Sequence, residues 1–412
     1  MGNCNEPLFN SFGTGLEGLF RRKEKVNYMS KKKRMATIFA QMENIHLIKD
    51  PGMIPLTFHR YYGYQATIPL SSTENYPYKD KYFSGVETPV LSDKNSIAEK
   101  YIVRLKWLIW NAKKIDLLHL FFFDKWTFIL MYIYKILNPK GLIYVHADTD
   151  GERLIDYEFS KNPIKRFITT HIFLNDRVIG DTLWGIQNSK NAKKLEGVWP
   201  FVNVKFVPNG FFWEENSKPE YDKKENIILT VARLGTPQKK TDLLLEAFAK
   251  ISPQFPDWKL RLVGPVEDGF KDYIENFFVR NPNLKNKVEF AGPIYDRNTL
   301  EQEYTKAKVF CLPSAWESFG LVSVEALSKG CFLLESDIDS NKDITQGGKM
   351  GLLFESGNLD DFVDKMKCTL SDENRLERNF SAAVKYANSH FSWKVALEPV
   401  ELWLEEKRGK AE

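Results

Sequence analysis

Short apolar segments alternate with longer helical ones along nearly the whole chain, and the pattern runs twice. "MATIFAQ" (35–41), "GYQATIPL" (63–70), "IDLLHLFFF" (115–123), "GLIYVHAD" (141–148), "THIFLN" (170–175) and "VKFVPNG" (204–210) read as the strands of a first series. "NIILTVARL", "KLRLVGP", "KVEFAGP", "KVFCLPS" and "CFLLES" form a second. Between them "WEENSKPEYDKKE" (213–225) is polar, charged and interrupted by proline, the composition of a linker. Strands spaced by helices build parallel sheets covered on both faces. Two such series predict an α/β chain of two doubly wound, Rossmann-like domains facing across a cleft, with ligands outside the carboxyl ends of the strands. The expected boundaries are a basic, disordered extension at 1–34, a first domain over 35–212 and a second over 226–395. The segment 391–407, "FSWKVALEPVELWLEEK", reads as an amphipathic helix broken at Pro399, and 396–412 is expected to return to the first domain.

Composition narrows the function classes. A length of 412 residues suits two cores rather than one, and 43% hydrophobic with 27% charged residues is that of a globular protein. A net charge of +4 is too small to imply nucleic acid. The four cysteines are scattered without a CxxC or a nearby histidine pair, so no metal site is expected and reduced thiols are. The most apolar run, 117–137, is broken by Asp124, Lys125 and Lys135, too soon to span a bilayer. "MGNC" at the start has Glu6 where an acylation signal would carry Ser or Thr.

"PSAWESFGLVSVEALSKG" (313–330) places Glu317 and Glu325 eight positions apart around a Ser-Phe-Gly turn. Glu317 falls in a loop after a strand, and Glu325 falls more than a turn into a helix. The helix start between them offers unpaired N–H groups and partial positive charge, which suit a phosphate. Ionised carboxylates only accept hydrogen bonds, so a glutamate on either side suits hydroxyl-bearing groups. A nucleotide-sugar has that order: sugar, two phosphates, ribose. The alternative is a pair of solvated acids at a helix start. In "TVARLGTPQKKTDLLLEAF" (230–248), Arg233 and Lys239 precede a helix near Asp242. Cations aimed at a leaving diphosphate would stabilise the transition state more than the ground state.

Residues 227–370 resemble the donor-binding domain of the family 4 (GT4) retaining glycosyltransferases of GT-B fold. The resemblance rests on "VARL" with its following lysine, the E-x7-E motif in "ESFGLVSVE", "GLLFESGNLDDF" (351–362) and, before the linker, "FVPNGF" (206–211). It extends more weakly over 35–212. It implies a hexosyltransferase that moves a sugar from a UDP- or GDP-sugar to a glycan or lipid-linked acceptor, in the synthesis of a cell-surface polysaccharide or glycolipid. Configuration would be retained, without a metal or other cofactor. Carried over, Arg233 and Lys239 would hold the diphosphate, Glu317 the donor sugar and Glu325 the ribose. Amides of Ser318, Phe319, Gly320 and Leu321 would face sugar and phosphate. Gly52 in the loop "KDPGM" would approach the diphosphate, Ile294 in "AGPIY" would lie at the base, and His146 would take the sugar-contacting place, with His119 as its rival. The chain departs from the pattern at Lys240, where the family commonly has glycine. A non-catalytic sugar-nucleotide or glycan-binding protein on the same scaffold is the alternative.

Two further segments bear on function. "HADTD" (146–150) places Asp148 and Asp150 after a strand, as metal-dependent GT-A enzymes do, or as helix-capping aspartates do. On residues 100–114 a helical wheel puts Tyr101, Ile102, Leu105, Leu108, Ile109 and Ala112 on the core side. Val103, Trp107 and Trp110 fall opposite, among Lys100, Arg104, Lys106, Lys113 and Lys114. That arc either packs under a neighbouring helix or meets an anionic membrane. A cytoplasmic protein is expected from the scattered thiols, and the second case docks it on the inner face of the membrane.

Overall fold

The computed structural model describes residues 33–94, 96–122, 124–147, 176–198, 202–213 and 218–410. In the first half lie β1 (Arg34–Thr37), β2 (Gln65–Thr67), a minor pair β3 (Leu70–Ser71) and β4 (Val90–Leu91), β5 (Leu117–Phe121), β6 (Leu142–Ala147), β7 (Thr182–Ile186) and β8 (Asn203–Phe206). The second half holds β9 (Glu225–Val231), β10 (Lys259–Val263), β11 (Val288–Gly292), β12 (Ala307–Leu312), β13 (Phe332–Ser336) and β14 (Gly351–Phe354). The two large sheets run β2-β1-β5-β6-β7-β8 and β11-β10-β9-β12-β13-β14, with every pairing parallel. Each buries apolar clusters on both faces, which is why β5, β6, β7 and β13 are buried at every residue rather than alternating. The doubly wound architecture is as expected.

β7 is a strand the sequence pattern hides. "TLWGI" is short and carries Gly185, a residue that weakens strands. The neighbour explains the glycine: a Cβ there would lie 2.6 Å from the Tyr144 hydroxyl of β6. "THIFLN", the basic extension up to residue 32, and both Asp148 and Asp150 lie outside the described residues.

The chain end returns to the first domain. Trp393, Leu397, Val400, Trp403 and Leu404 join the first-domain core. Glu401 accepts from the Tyr64 hydroxyl at 3.1 Å, and Arg408 donates to that hydroxyl at 2.7 Å. Pro399 does not kink a helix; it sits in the first turn of the Glu398–Gly409 helix, where its missing N–H has no intrahelical acceptor to lose.

The Ile97–Asn111 helix is rotated from the expected face. Arg104, placed by the wheel among the solvated residues, is 0% exposed and forms a buried ion pair with Asp93 at 2.7 Å. Tyr101, Leu108 and Ala112 are buried with it, and Trp107 is half-buried against the core. Ile102, Ile109 and Trp110 are turned outward, Trp110 to 85% exposure. No helix among the described residues is long and apolar enough to cross a membrane.

Candidate functional site

The order of the second sheet reverses between β9 and β12, so the loops leaving these two strands flank a crevice. The loop after β9 carries Arg233, Lys239 and Lys240; the loop after β12 carries Trp316, Glu317 and Ser318. One backbone bond and one bond from the Gln238 side chain stitch them together. Ala315 N–H donates to the Gln238 carbonyl at 2.8 Å, and the Gln238 amide donates to the Trp316 carbonyl at 2.9 Å. Across the same seam Lys239 is ion-paired with Glu317, their side chains only 17% and 9% exposed. The cation and the carboxylate singled out from sequence are therefore in direct contact.

Arg233 is placed differently. Its side chain is 62% exposed and its Nε lies 3.4 Å from Glu267, in the loop after β10. Lys240, just ahead of the Thr241–Ile251 helix, has φ +49°, in the left-handed region. That conformation explains a glycine preference at such a position, and a lysine there costs about 1 kcal/mol or more.

Phe319 anchors the second loop, 1% exposed in the core beside Phe391. Gly320 follows at φ +97°, a turn that only glycine makes without strain, and the Leu321–Ser328 helix begins directly after it. No side chain caps that helix, so its first N–H groups, following Glu317–Gly320 in the chain, have no intrahelical acceptor.

Glu325 is more enclosed than the sequence suggests. One carboxylate oxygen accepts from Arg297 at 2.8 Å and the other from the Tyr304 hydroxyl at 3.0 Å. Arg297 also donates to the Phe212 carbonyl at 2.7 Å and lies 4.6 Å over the Trp213 ring. Trp213 in turn donates to Ser328 at 2.7 Å. Burial works against the Arg297 charge, but Glu325 more than offsets it and holds the pKa above its ordinary value. The pair thus ties the inter-domain connection to the helix that carries the second glutamate. Arg297 and Tyr304 are residues that sequence reasoning missed, since they come from the Arg297–Lys306 helix with no motif of their own.

"KDPGM" is not a loop: Asp50–Tyr61 is a helix, and Gly52 is buried in its first turn. A Cβ on Gly52 would lie 2.1 Å from the Leu47 carbonyl oxygen, so the glycine serves packing against the preceding turn. His146 is 0% exposed, with Nδ1 2.7 Å from the Tyr144 hydroxyl and Nε2 2.7 Å from Asn209 Oδ1. Both ring nitrogens are occupied inside the core, so the histidine is not presented to the cleft. Burial lowers its pKa to about 4 against the pull of Asn209, keeping it neutral at physiological pH. Asn209 is the asparagine of the "FVPNGF" ending, which thereby gains a structural purpose. His119 is likewise buried, stacked on Tyr144 and 3.0 Å from Thr37 Oγ1. Ile294 is half-buried in the loop after β11, beside Tyr295, whose carbonyl accepts from Tyr78 of the first domain at 2.8 Å.

The first domain closes one side of the crevice. Ser189, opening the Ser189–Val198 helix, donates its N–H and hydroxyl to Asp343 at 2.7 and 2.6 Å. Lys190 pairs with Asp339 at 2.9 Å. A cavity of about 640 Å³ lies between the domains here, lined by Asn188, Lys190 and Lys194 on one side and Trp316, Glu317 and Ser318 on the other. No cluster of three or more acidic, histidine or cysteine side chains able to hold a metal occurs among the described residues.

Residues 211–386 match the family model described as glycosyl transferases group 1. A D-inositol 3-phosphate glycosyltransferase of Kribbella flavida is 29% identical over 225 residues, 53% of this chain and 51% of that protein. A phosphatidyl-myo-inositol mannosyltransferase of Mycobacterium leprae is 26% identical over 199 residues, 47% and 51% of the two chains. The chain spans about half the length of these curated relatives. Among solved structures, Anabaena Alr3699/HepE in complex with UDP and glucose superposes with a TM-score of 0.64 at 15% identity, over 91% of this chain and 99% of that one. That likeness shows the fold, which is GT-B.

Proposed function

We propose that the chain is a group 1 glycosyltransferase that moves a hexose from a UDP- or GDP-sugar to a glycan or lipid-linked acceptor with retention of configuration. The observation that carries this reading is the Lys239–Glu317 contact at the switch point of the domain matched as group 1, opening onto a cavity shared by both domains. A donor laid along the crevice sets its diphosphate against Lys239, Arg233 and the start of the Leu321–Ser328 helix. Glu317 accepts hydrogen bonds from the sugar hydroxyls and orients the ring. As the bond to the sugar breaks, charge grows on the departing phosphate, and these fixed positive groups stabilise it. The same phosphate oxygen takes the proton of the acceptor hydroxyl arriving from the cavity, on the face the diphosphate leaves. Charge stabilisation is thereby assigned to side chains and a helix terminus, with no metal required. The UDP and glucose bound by Alr3699/HepE support a nucleotide-sugar donor. The inositol-phosphate and phosphatidylinositol relatives support an acceptor joined to phosphate or lipid.

A panel of UDP-, GDP- and ADP-sugars tests this. At least one is expected to be hydrolysed slowly without acceptor, at an unchanged rate in excess EDTA. Tight binding of a sugar-nucleotide with no turnover under any acceptor would instead mark a binding protein. Loss of turnover in EDTA with recovery in manganese would count against the metal-free assignment.

The outward side of the Ile97–Asn111 helix supports peripheral contact with an anionic membrane. Ile102, Ile109 and Trp110 project there with Lys106, Lys113 and Lys114 exposed around them. Rings and aliphatic chains entering the interface beside lysines suit such a surface. Sedimentation with anionic vesicles at low salt is expected to carry the protein down, less so with added salt. An Ile109→Ser, Trp110→Ser double variant should stay in the supernatant. Equal sedimentation of the double variant would leave this face as ordinary surface.

A further inference from the structure

Glu335, near the carboxyl end of β13, is 0% exposed, and neither of its carboxylate oxygens has a hydrogen-bond partner. Its register partners on the flanking strands, Leu312 and Leu353, are apolar. Around the neighbouring turn other buried polar atoms are left open: the hydroxyls of Ser314, Ser323 and Ser340, and Asn341 Oδ1. Two of them border the donor-site turn directly, because a Cβ on Gly320 would sit 3.5 Å from Ser323 Oγ and 3.9 Å from Asn341 Oδ1. The titratable group that faces Glu335 is Glu317 from the loop after β12; Cys311 of β12, in register with Leu334, lies on the opposite face of the sheet. Neither supplies a positive charge, and the lysine of the seam is already paired with Glu317. A carboxylate buried without a cation and beside another carboxylate is costly; a neutral acid has a proton to donate to an open acceptor such as Asn341 Oδ1, while a serine hydroxyl can serve either form.

We propose that Glu335 is a positioning residue of the donor site: as a neutral acid it supports the Ser318–Leu321 turn, and its ionisation withdraws that support and adds a negative charge behind Glu317. This rests on the glycosyltransferase reading for its effect on activity, not for the state of the acid. Burial, opposed in part by the Ser323 hydroxyl and reinforced by Glu317, raises the Glu335 pKa to about 8. The supporting form is therefore present at neutral pH and lost above it. The folded state keeps a proton that the unfolded chain releases near pH 4.5, so this group makes folding progressively less favourable between that pH and about 8.

The tests separate the two readings. In wild-type protein carrying carbon-13 at glutamate carboxyls, one side chain should be protonated at pH 7 and titrate near pH 8; a spectrum with every glutamate ionised at pH 7 overturns the proposal without any substrate. Glu335→Gln keeps shape and neutrality. Its denaturation midpoint should gain on wild type as pH rises from 5 to 8 and then hold its lead; a constant difference overturns the proposal. With a hydrolysed sugar-nucleotide, wild-type kcat should fall about tenfold per pH unit above the transition, and Glu335→Gln should restore the rate on that alkaline limb. Identical alkaline limbs overturn it. Failure to hydrolyse any donor strikes at the proposed function and leaves the labelled spectrum and the denaturation series to decide on Glu335.

Discussion

Replacing Lys239 with Ala is expected to lower kcat for donor turnover on the order of a hundredfold while changing donor affinity far less. Removing one preorganised group from developing charge has that scale. The ammonium is poised for the role, mostly shielded from water on the seam between two loops at the switch point. The seam also raises a rival explanation, since Lys239 holds Glu317, and a loose Glu317 would slow the reaction by misplacing the sugar. A double-mutant cycle separates the two. If Lys239 acts on the diphosphate, Lys239→Ala remains slow in a Glu317→Gln background, and the two losses multiply. If it only positions Glu317, then Glu317→Gln alone is as slow and the second change adds nothing. Arg233→Ala is expected to cost less, about tenfold, because its side chain is 62% exposed and shares its charge with Glu267 in a higher effective dielectric. Full activity in Lys239→Ala would remove the reaction from this crevice.

What could be read from sequence was what short stretches of chain decide by themselves. Apolar runs buried on both faces revealed most strands, and the spacing of Glu317 and Glu325 around Gly320 located a loop followed by a helix. Lys239 and Glu317 are 78 positions apart, yet their contact was within reach because both follow the ends of strands in one predicted sheet. What stayed hidden depended on partners from elsewhere. Gly52 looked like a phosphate-approach glycine because the crossing of its helix over Leu47 leaves no trace in the sequence. His146 looked available until Asn209 and Tyr144 were found to occupy its two nitrogens. The Ile97–Asn111 helix keeps Tyr101, Leu108 and Ala112 inward as expected, but Ile102 and Ile109 turn outward and Arg104 inward, where Asp93, outside the helix, pairs with it. Glu335 read simply as part of a buried strand, and the absence of a cation or a well-formed hydrogen bond at its carboxyl is a property of the packed state alone.

Arg297→Ala is expected to destabilise the second domain by about 3–5 kcal/mol, the cost of leaving a buried charge without its partner. In a domain of this size that corresponds to a fall of about 10 °C in its melting temperature. Glu325 would retain only the Tyr304 hydroxyl, and the Phe212 carbonyl and the Trp213 ring would lose the guanidinium that ties them to the Leu321–Ser328 helix. Lysine is a poor substitute, because one ammonium cannot reproduce the planar fork that reaches carboxylate and carbonyl together. Glu325→Ala is correspondingly an unclean probe of the donor, since it strands Arg297. Glu325→Gln keeps the shape and should cost less stability, so a weakened donor affinity measured in it by calorimetry would support the proposed ribose contact. The double variant Arg297→Ala, Glu325→Gln should recover part of the loss seen in Arg297→Ala, because the amide that remains is neutral. Melting of Arg297→Ala at the wild-type temperature would show that the pair carries no such energy. In that event Glu325 would be free to turn toward the donor, and the enclosure seen around it would be one of two accessible arrangements.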